Sequence, residues 1–389
     1  MVYDAVIVGA SIAGLYTGMK LSRAGWKVCI IERRREIGIP VRCGEATGNR
    51  LELSRFVEID ESWIAGDIKG MTFHLNDRDP LKIEVKDAGV ILHRGRFEKM
   101  LAQKAQKSGA DILLNTSVMG VARTGNTYKG VLCNNGKEIS GKIIIGADGC
   151  ESKVGRWTGI TKSIPIQDAF PAAQYRVKGD FCNDNYLHFF LGSSIIPKGY
   201  IWVFSKAKGD ISVGAGLYGC SSNTPEVKEL LDSFIDKNIP SVEKSNLITG
   251  CVPLSVCPKR LVKDNVVIIG DAARQVNPLN AGGIMNTLEA ADLAVQSLLA
   301  NNSNTYSRKW RRAQRRQQRI FYLIKEVFLD CSDKEIDVLV KKMRIDFQRY
   351  IDRTKTFTFP MRPLIFLFIV FLPKFVKHLV RYIFPLHYK

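Results

Sequence analysis

The chain is poor in the features that build metal sites and disulfide frameworks. Its five histidines (74, 93, 188, 378 and 387) show no ligand spacing, and no Cys-x-x-Cys occurs among its nine cysteines (29, 43, 133, 150, 182, 220, 251, 257 and 331). An odd, scattered set of thiols excludes a zinc knuckle and a secreted disulfide scaffold, so reduced cysteines and no metal are expected. The apolar run Pro363–Pro373 falls short of the ~20 residues that a spanning helix needs. No leader precedes the first apolar strand, which sets the expectation of a protein made and kept on the cytoplasmic side. No nucleic-acid module is visible either, although the net charge is +19. Aromatic residues do not punctuate the densest basic run, Arg308–Arg319, as a base-stacking platform would require. An anionic membrane surface is therefore the expected partner, and nucleic acid is not.

What the chain does have is concentrated at its start. Ala5–Val8 reads as an apolar strand, Gly9-Ala10-Ser11-Ile12-Ala13-Gly14 as a tight turn into a helix, and Val28–Ile31 as a second strand ending at Glu32. This is the βαβ dinucleotide fingerprint, with an acid about 20 residues beyond the glycines. Gly9 permits the sharp turn, and Gly14 lets helix and strand approach. The helix N-terminus offers its free N–H groups to a pyrophosphate. Glu32 is a ribose acceptor, and an acid there favours FAD or NAD over NADP. Ser11 stands where a glycine is usual, so the backbone approaches the phosphates less freely.

At 389 residues two domains and an appendage are expected. Alternation predicts strands at Met71–Leu75, Leu81–Val85 and Val90–His93, and helical spacing predicts a helix over Arg94–Lys107. Lys142–Ser152 reads as a buried strand running into a Gly/Asp turn. Four strands are predicted at Ala172–Val177, Tyr186–Leu191, Tyr200–Ser205 and Ile211–Leu217. Helices are predicted at Pro225–Ile235 and Ile284–Leu299. The expected fold is α/β (α+β): a Rossmann-like domain from residues 1–70, 94–160 and 258–300, with an inserted antiparallel β-rich substrate domain from 71–93 and 161–257. Residues 301–389 form a basic helical region.

Three features coincide: the fingerprint, Gly146-Ala-Asp148-Gly149, and Gly270-Asp271 before Gly282-Gly283-Ile284. A plain Rossmann dehydrogenase needs only the first, whereas an extended FAD uses all three. Asp271 is expected at the ribityl or pyrophosphate, and the Gly282-Gly283-Ile284 helix start at the flavin ring, where its dipole stabilises reduced flavin. Arg96 is a candidate phosphate or ribityl contact.

This arrangement resembles the FAD-dependent aromatic hydroxylase superfamily. Within it, Pro40-Val-Arg42-Cys43-Gly44-Glu45-Ala46, Pro197-Lys-Gly-Tyr200-Ile-Trp202-Val-Phe204-Ser-Lys206 and Gly270-Asp-Ala-Ala-x-x-Val276-Asn277-Pro278 resemble the geranylgeranyl reductase family. The likeness covers about residues 1–300 and is greatest to the archaeal members that act on digeranylgeranylglycerophospholipid. Ser205 stands where the family usually has proline, and Asn280-Ala281 precede the glycine pair where another turn composition is usual. The resemblance implies an FAD enzyme of the aromatic-hydroxylase type that saturates the C=C bonds of geranylgeranyl chains in a membrane ether lipid. Its FAD contacts would come from Gly9, Ser11, Ala13, Gly14, Glu32, Arg33, Arg42, Cys43, Gly44, Ala46, Arg96, Val121, Asp148, Asp271, Gly282, Gly283 and Ile284. Cys43, Tyr200 and Trp202 are the candidate catalytic residues. Leu187, Phe189, Phe190, Tyr200, Trp202 and Phe204 can line an apolar substrate slot; alternation puts Tyr200, Trp202 and Phe204 on one strand face as its wall, and Phe190 is counted with them as a substrate residue. Cys43 either tunes the flavin or packs as an inert thiol, and the proton source stays open between Cys43, Tyr200 and water. The external electron donor, ferredoxin or NAD(P)H, is likewise open.

In the tail, Phe375, Val376, Leu379, Val380 and Ile383 recur at helical spacing opposite Lys377, His378 and Arg381. Beside the apolar run this reads as an in-plane anchor on the cytoplasmic face of the cell membrane, with a core helix as the other reading. A flavin monooxygenase or halogenase on the same scaffold is the competing function. A prenyl-lipid carrier without flavin chemistry is a third.

Overall fold

The computed structural model describes residues 2–336, apart from 77–78, 126, 180, 182–183, 207–208, 220–225 and 241, together with Lys374, Lys377 and His378. The tail segment proposed as an anchor otherwise lies outside the described residues. Strands β1–β17 and helices α1–α8 are numbered in chain order.

One sheet carries the N-terminal fingerprint. β1 (Val2–Val8) lies between β2 (Val28–Ile31) and β9 (Glu138–Gly146), parallel to both. β6 (Asp111–Leu113) extends it beyond β2, and β17 (Val266–Ile268) beyond β9. β16 (Val262–Lys263) closes that edge antiparallel, while β7 (Val118–Thr124) and β8 (Thr127–Cys133) form a hairpin on β9. β2 is buried throughout and β1 over Ala5–Val8, the pattern of strands covered on both faces. On one side α1 (Ile12–Arg23) packs against α3 (Arg94–Lys107) and α6 (Ile284–Leu299).

The second sheet has the order β14-β10-β13-β12-β11-β4-β5-β3. Its long members are β4 (Ile64–Leu75), β5 (Leu81–Leu92), β10 (Ala169–Lys178), β11 (Tyr186–Gly192), β12 (Ile196–Ser205) and β13 (Asp210–Leu217). Short β3 (Ala46–Thr47) and β14 (Glu243–Lys244) edge it, and β15 (Ile248–Pro253) pairs with β10. Three expectations change. The strand begun at Met71 starts at Ile64, and the runs at 81 and 90 are one strand. The sheet is also not wholly antiparallel, because β11 runs parallel to β4. The chain passes through the first sheet between these two strands, and a long crossover permits parallel pairing.

Of the remaining helices, α2 (Arg50–Ser54) follows β3 and α4 (Lys153–Trp157) follows β9. α5 (Val227–Asn238) covers one face of the second sheet through Leu231, Phe234 and Ile235. α7 (Thr305–Trp310) continues through a π-helical turn over Arg311–Arg315 into α8 (Arg316–Leu329). Buried Lys325 on α8 pairs with Asp168 at 3.2 Å, just before β10. In the tail, Lys377 pairs with Asp330 and Lys374 with Glu335, each at 2.7 Å. Buried His378 also approaches Asp330, so Lys377 and His378, both on the polar face of the tail pattern, contact the protein.

Candidate active site

The turn from β1 into α1 is built for glycine. Gly9 has φ +105°, and a Cβ there would run into the Ala147 carbonyl. A Cβ on Gly14 would strike the Gly9 carbonyl, and one on Gly270 would come within 3.1 Å of the Ala13 methyl. Two backbones thus cross closely at Ala13 and Gly14. No side chain caps α1, so its first-turn N–H groups stay open to a ligand. Buried Glu32 ends β2, accepting Ala10 N–H at 2.8 Å on one oxygen and Arg34 N–H at 3.0 Å on the other. Burial, followed by the charges of Arg34 and Arg33, holds the Arg42 guanidinium below its usual range. Three cations gathered this way suit an anionic ligand. Val121 on β7 belongs to the same apolar cluster as Val8 and Ile31.

Asp271 lies in the turn Gly270–Ala273, where burial raises its pKa against the opposing charge of Arg94. Among the described residues no donor reaches its carboxylate, which leaves it available to a ligand hydroxyl. Gly283 begins α6 without a side-chain cap, and a Cβ on it would lie 3.7 Å from Asp271 Oδ1. Gly282 N–H is taken by Asn280 at 2.9 Å, and Ile284 is buried. Asp148 differs from expectation. Its two oxygens accept Ser152 O–H at 2.7 Å and Val154 N–H at 2.9 Å. It accepts from the cap and first turn of α4 and shapes the turn before it rather than presenting a free carboxylate.

Arg96 also departs from expectation. It is exposed on α3 and donates to the Ser62 carbonyl, whereas Arg94, two residues earlier and so on another helix face, points inward. Arg94 donates to Glu98 Oε1 and to Ser11 Oγ, both at 3.0 Å, and Ser11 Oγ donates to the same Glu98 oxygen at 2.7 Å. The residue replacing the usual glycine therefore joins a polar network. Burial opposes the charge on Arg94, but Glu98 and then Cys43 hold it above its ordinary range.

Cys43 Sγ also accepts Glu45 N–H at 3.2 Å. Its loop lies on the aromatic face of β12: a Cβ on Gly44 would come within 2.9 Å of the Phe204 ring and 3.3 Å of Trp202 Nε1. Tyr200, Trp202 and Phe204 share that face, with Phe189 paired opposite Trp202 and Leu187 opposite Phe204. Ala46 packs with the same cluster. The Tyr200 hydroxyl donates to the Asn280 carbonyl at 3.0 Å, tying the wall to the loop before α6. Burial, with Cys43 adding to it, pushes that hydroxyl above its ordinary pKa. Phe190 does not belong to this wall. It lies on the opposite face, stacked on His74 at 4.1 Å and edge-on to Phe234 at 4.7 Å, because successive strand residues alternate sides. Phe189, named for the slot beside it, does face the wall.

Sequence reasoning missed Glu45, Arg94, Glu98, Arg176 and Lys206, which converge on the thiol loop. Glu45 and Lys206 stood inside two of the three family-like segments but carried no assigned role. The i,i+4 spacing of Arg94 and Glu98 was the available signal for that pair.

The FAD-binding domain profile matches residues 2–181, and the geranylgeranyl reductase catalytic domain profile matches 168–253. A digeranylgeranylglycerophospholipid reductase of Methanosarcina acetivorans is 33% identical over 90% of this chain and 91% of its own length. One from Thermoplasma volcanium is 34% identical over 87% and 90%. The crystal structure of a geranylgeranyl bacteriochlorophyll reductase-like protein from Thermoplasma acidophilum superposes with a TM-score of 0.84 at 29% identity, covering 97% of this chain and 98% of that one. A flavin-dependent brominase superposes with a TM-score of 0.71 at 16% identity, a likeness of fold alone. With the open α1 terminus, the arginine cluster and the unclaimed Asp271 carboxylate suited to FAD, the chain belongs to the geranylgeranyl reductase family of FAD-dependent oxidoreductases.

Proposed function

We propose that the protein saturates the C=C bonds of geranylgeranyl chains in an ether glycerophospholipid. The observation that carries this reading is the Cys43–Gly44 loop laid on an aromatic strand face beside the α6 N-terminus. An isolated alkene offers no polar handle, so the protein must supply an apolar surface, exclude water and hold a proton beside one carbon. Trp202, Phe204 and Phe189 supply the surface. Cys43 and Tyr200 are the candidate proton sources beside it, and burial raises the Tyr200 hydroxyl above its ordinary pKa. Bound FAD, once reduced, supplies the hydride. Glu32, Asp271, Arg33, Arg42 and the α1 and α6 N-termini would hold it.

The protein acts peripherally at the cytoplasmic membrane face. Arg308, Arg311, Arg312 and Arg316 are exposed, and Lys259, Arg260, Lys263 and Arg311 line a recess of about 500 Å³, a surface suited to anionic headgroups. An external donor, ferredoxin or NAD(P)H, reduces the flavin.

Anaerobic reduction with dithionite, followed by an unsaturated geranylgeranyl ether phospholipid, tests the activity by mass spectrometry. Gain of two hydrogens per double bond is expected. A yellow protein that leaves the lipid intact, yet inserts oxygen with NADPH in air, refutes it in favour of a monooxygenase.

A further inference from the structure

Beneath the wall lies a group of charges that cofactor binding does not use. Glu45 and Lys206 are each about 1% exposed and paired, Lys206 Nζ donating to Glu45 Oε2. The same oxygen accepts Arg176 Nη2 at 2.7 Å, and the other accepts Arg94 N–H at 2.9 Å. Removing two charges from water costs several kcal/mol per ion before pairing offsets it, so such a pair is an expensive way merely to fill a core. Glu45 also has φ +71°, a left-handed backbone that a non-glycine residue adopts only when its surroundings impose it.

What the carboxylate joins explains the arrangement. Through its partners it ties the thiol loop to the start of α3, to β10 and to the end of β12. Lys206 directly follows the strand carrying Tyr200, Trp202 and Phe204, and its N–H donates to the Asp210 carbonyl at 2.7 Å, at the start of β13. The Glu45 carbonyl accepts Leu92 N–H at 3.0 Å, and its own N–H donates to Cys43 Sγ. A two-residue displacement from Glu45 therefore fixes the sulfur, and one residue between them, Gly44, meets the wall. Burial lowers the Lys206 pKa against the opposing charge of Glu45, so the ammonium depends on its partner.

We propose that Glu45, clamped by Lys206 and Arg176, is the positioning residue of the thiol loop: it holds Cys43 beside the Arg94 guanidinium and seats Gly44 on the Trp202–Phe204 face. The proposal rests on the reading that this face borders the substrate, but its first test does not. In the full FAD-loaded chain, iodoacetamide labelling of Cys43 is followed by peptide mass spectrometry, alongside thermal melting. Glu45→Gln leaves Lys206 buried without its counter-charge. It is expected to label Cys43 about tenfold faster, the factor that roughly 1.4 kcal/mol of lost loop tethering gives. The double variant Glu45→Gln with Lys206→Met removes both charges and is expected to recover melting temperature while Cys43 stays fast to label. Single-turnover reduction of the geranylgeranyl lipid is expected to fall about 10²-fold in both, the cost of misplacing a group by ~1 Å. Wild-type labelling in Glu45→Gln overturns the proposal. So does a double variant that regains protection of Cys43 and lipid turnover together with stability, for the pair would then be core alone. If labelling changes as expected while the wild type reduces no lipid, the positioning stands and the substrate reading fails.

Discussion

Replacing Gly44 by alanine tests the contact on which the site is built. The added Cβ would lie 2.9 and 3.1 Å from two Phe204 ring atoms and 3.3 Å from Trp202 Nε1, where ordinary contact begins at 3.4 Å. The loop or the rings must yield by roughly half an ångström. Phe204 is boxed in by Phe189 at 5.4 Å between ring centroids, and the Trp202 ring lies against Gly214, so the loop is the part that moves. Such overpacking costs about 1–3 kcal/mol of stability. The larger consequence is for reactivity, since sub-ångström displacement of a reacting group lowers rate by ~10-fold or more. Stopped-flow reoxidation of the dithionite-reduced protein by the geranylgeranyl lipid is expected to slow by about that factor. Reoxidation by oxygen, which needs no seated alkene, stays near wild type. Adding Phe204→Ala relieves the clash and recovers part of the lipid rate. Wild-type lipid reoxidation in Gly44→Ala would show that the loop does not rest on this wall during turnover.

Three further outcomes are expected. Glu32→Gln removes the charge from the proposed ribose acceptor and is expected to weaken FAD by about 1.5–3 kcal/mol, roughly ten- to hundredfold, by fluorescence titration; an unchanged affinity refutes that contact. Burial, then neighbouring His188, pushes His74 down to about 4, against a weaker pull from Asp184. Below its ordinary value of 6.5 the unfolded chain binds a proton that folded His74 refuses until about pH 4, so stability falls as pH drops through that window. Thermal melts from pH 7 to 4.5 are expected to show this slope, reduced in His74→Phe, whose ring can keep the stack on Phe190; equal slopes refute it. Lys325→Met strands the buried Asp168 carboxylate and costs about 3–5 kcal/mol in urea unfolding, partly recovered by Asp168→Asn. A neutral single substitution refutes the pairing as a tie between α8 and β10.

Much of the fold was legible because its signals are local. The helix over Arg94–Lys107 and the one over Ile284–Leu299 fall where apolar spacing places them. Gly9, Gly14 and Glu32 announced a nucleotide site through a turn, a close crossing and a strand end, all set within a short stretch of chain. Strand boundaries were less legible: β4 begins seven residues before its clearest alternation, and β5 joins two runs that composition separates.

The sequence by itself determined the FAD fingerprint, the aromatic face of β12 and the family, because each is written in contiguous residues whose spacing carries the geometry. Tertiary structure alone decided which neighbours those residues meet. Both Phe189 and Phe190 were expected in the slot, and strand pairing decided that Phe189 alone of the two meets the wall, since only register fixes the shared face. Helix packing chose Arg94 over Arg96. The Glu45–Lys206 pair joins residues 161 positions apart and the Ser11–Glu98 hydrogen bond residues 87 apart, so no local periodicity records either. Folding brought these charges together where water is excluded, and there their pairing sets where the thiol stands.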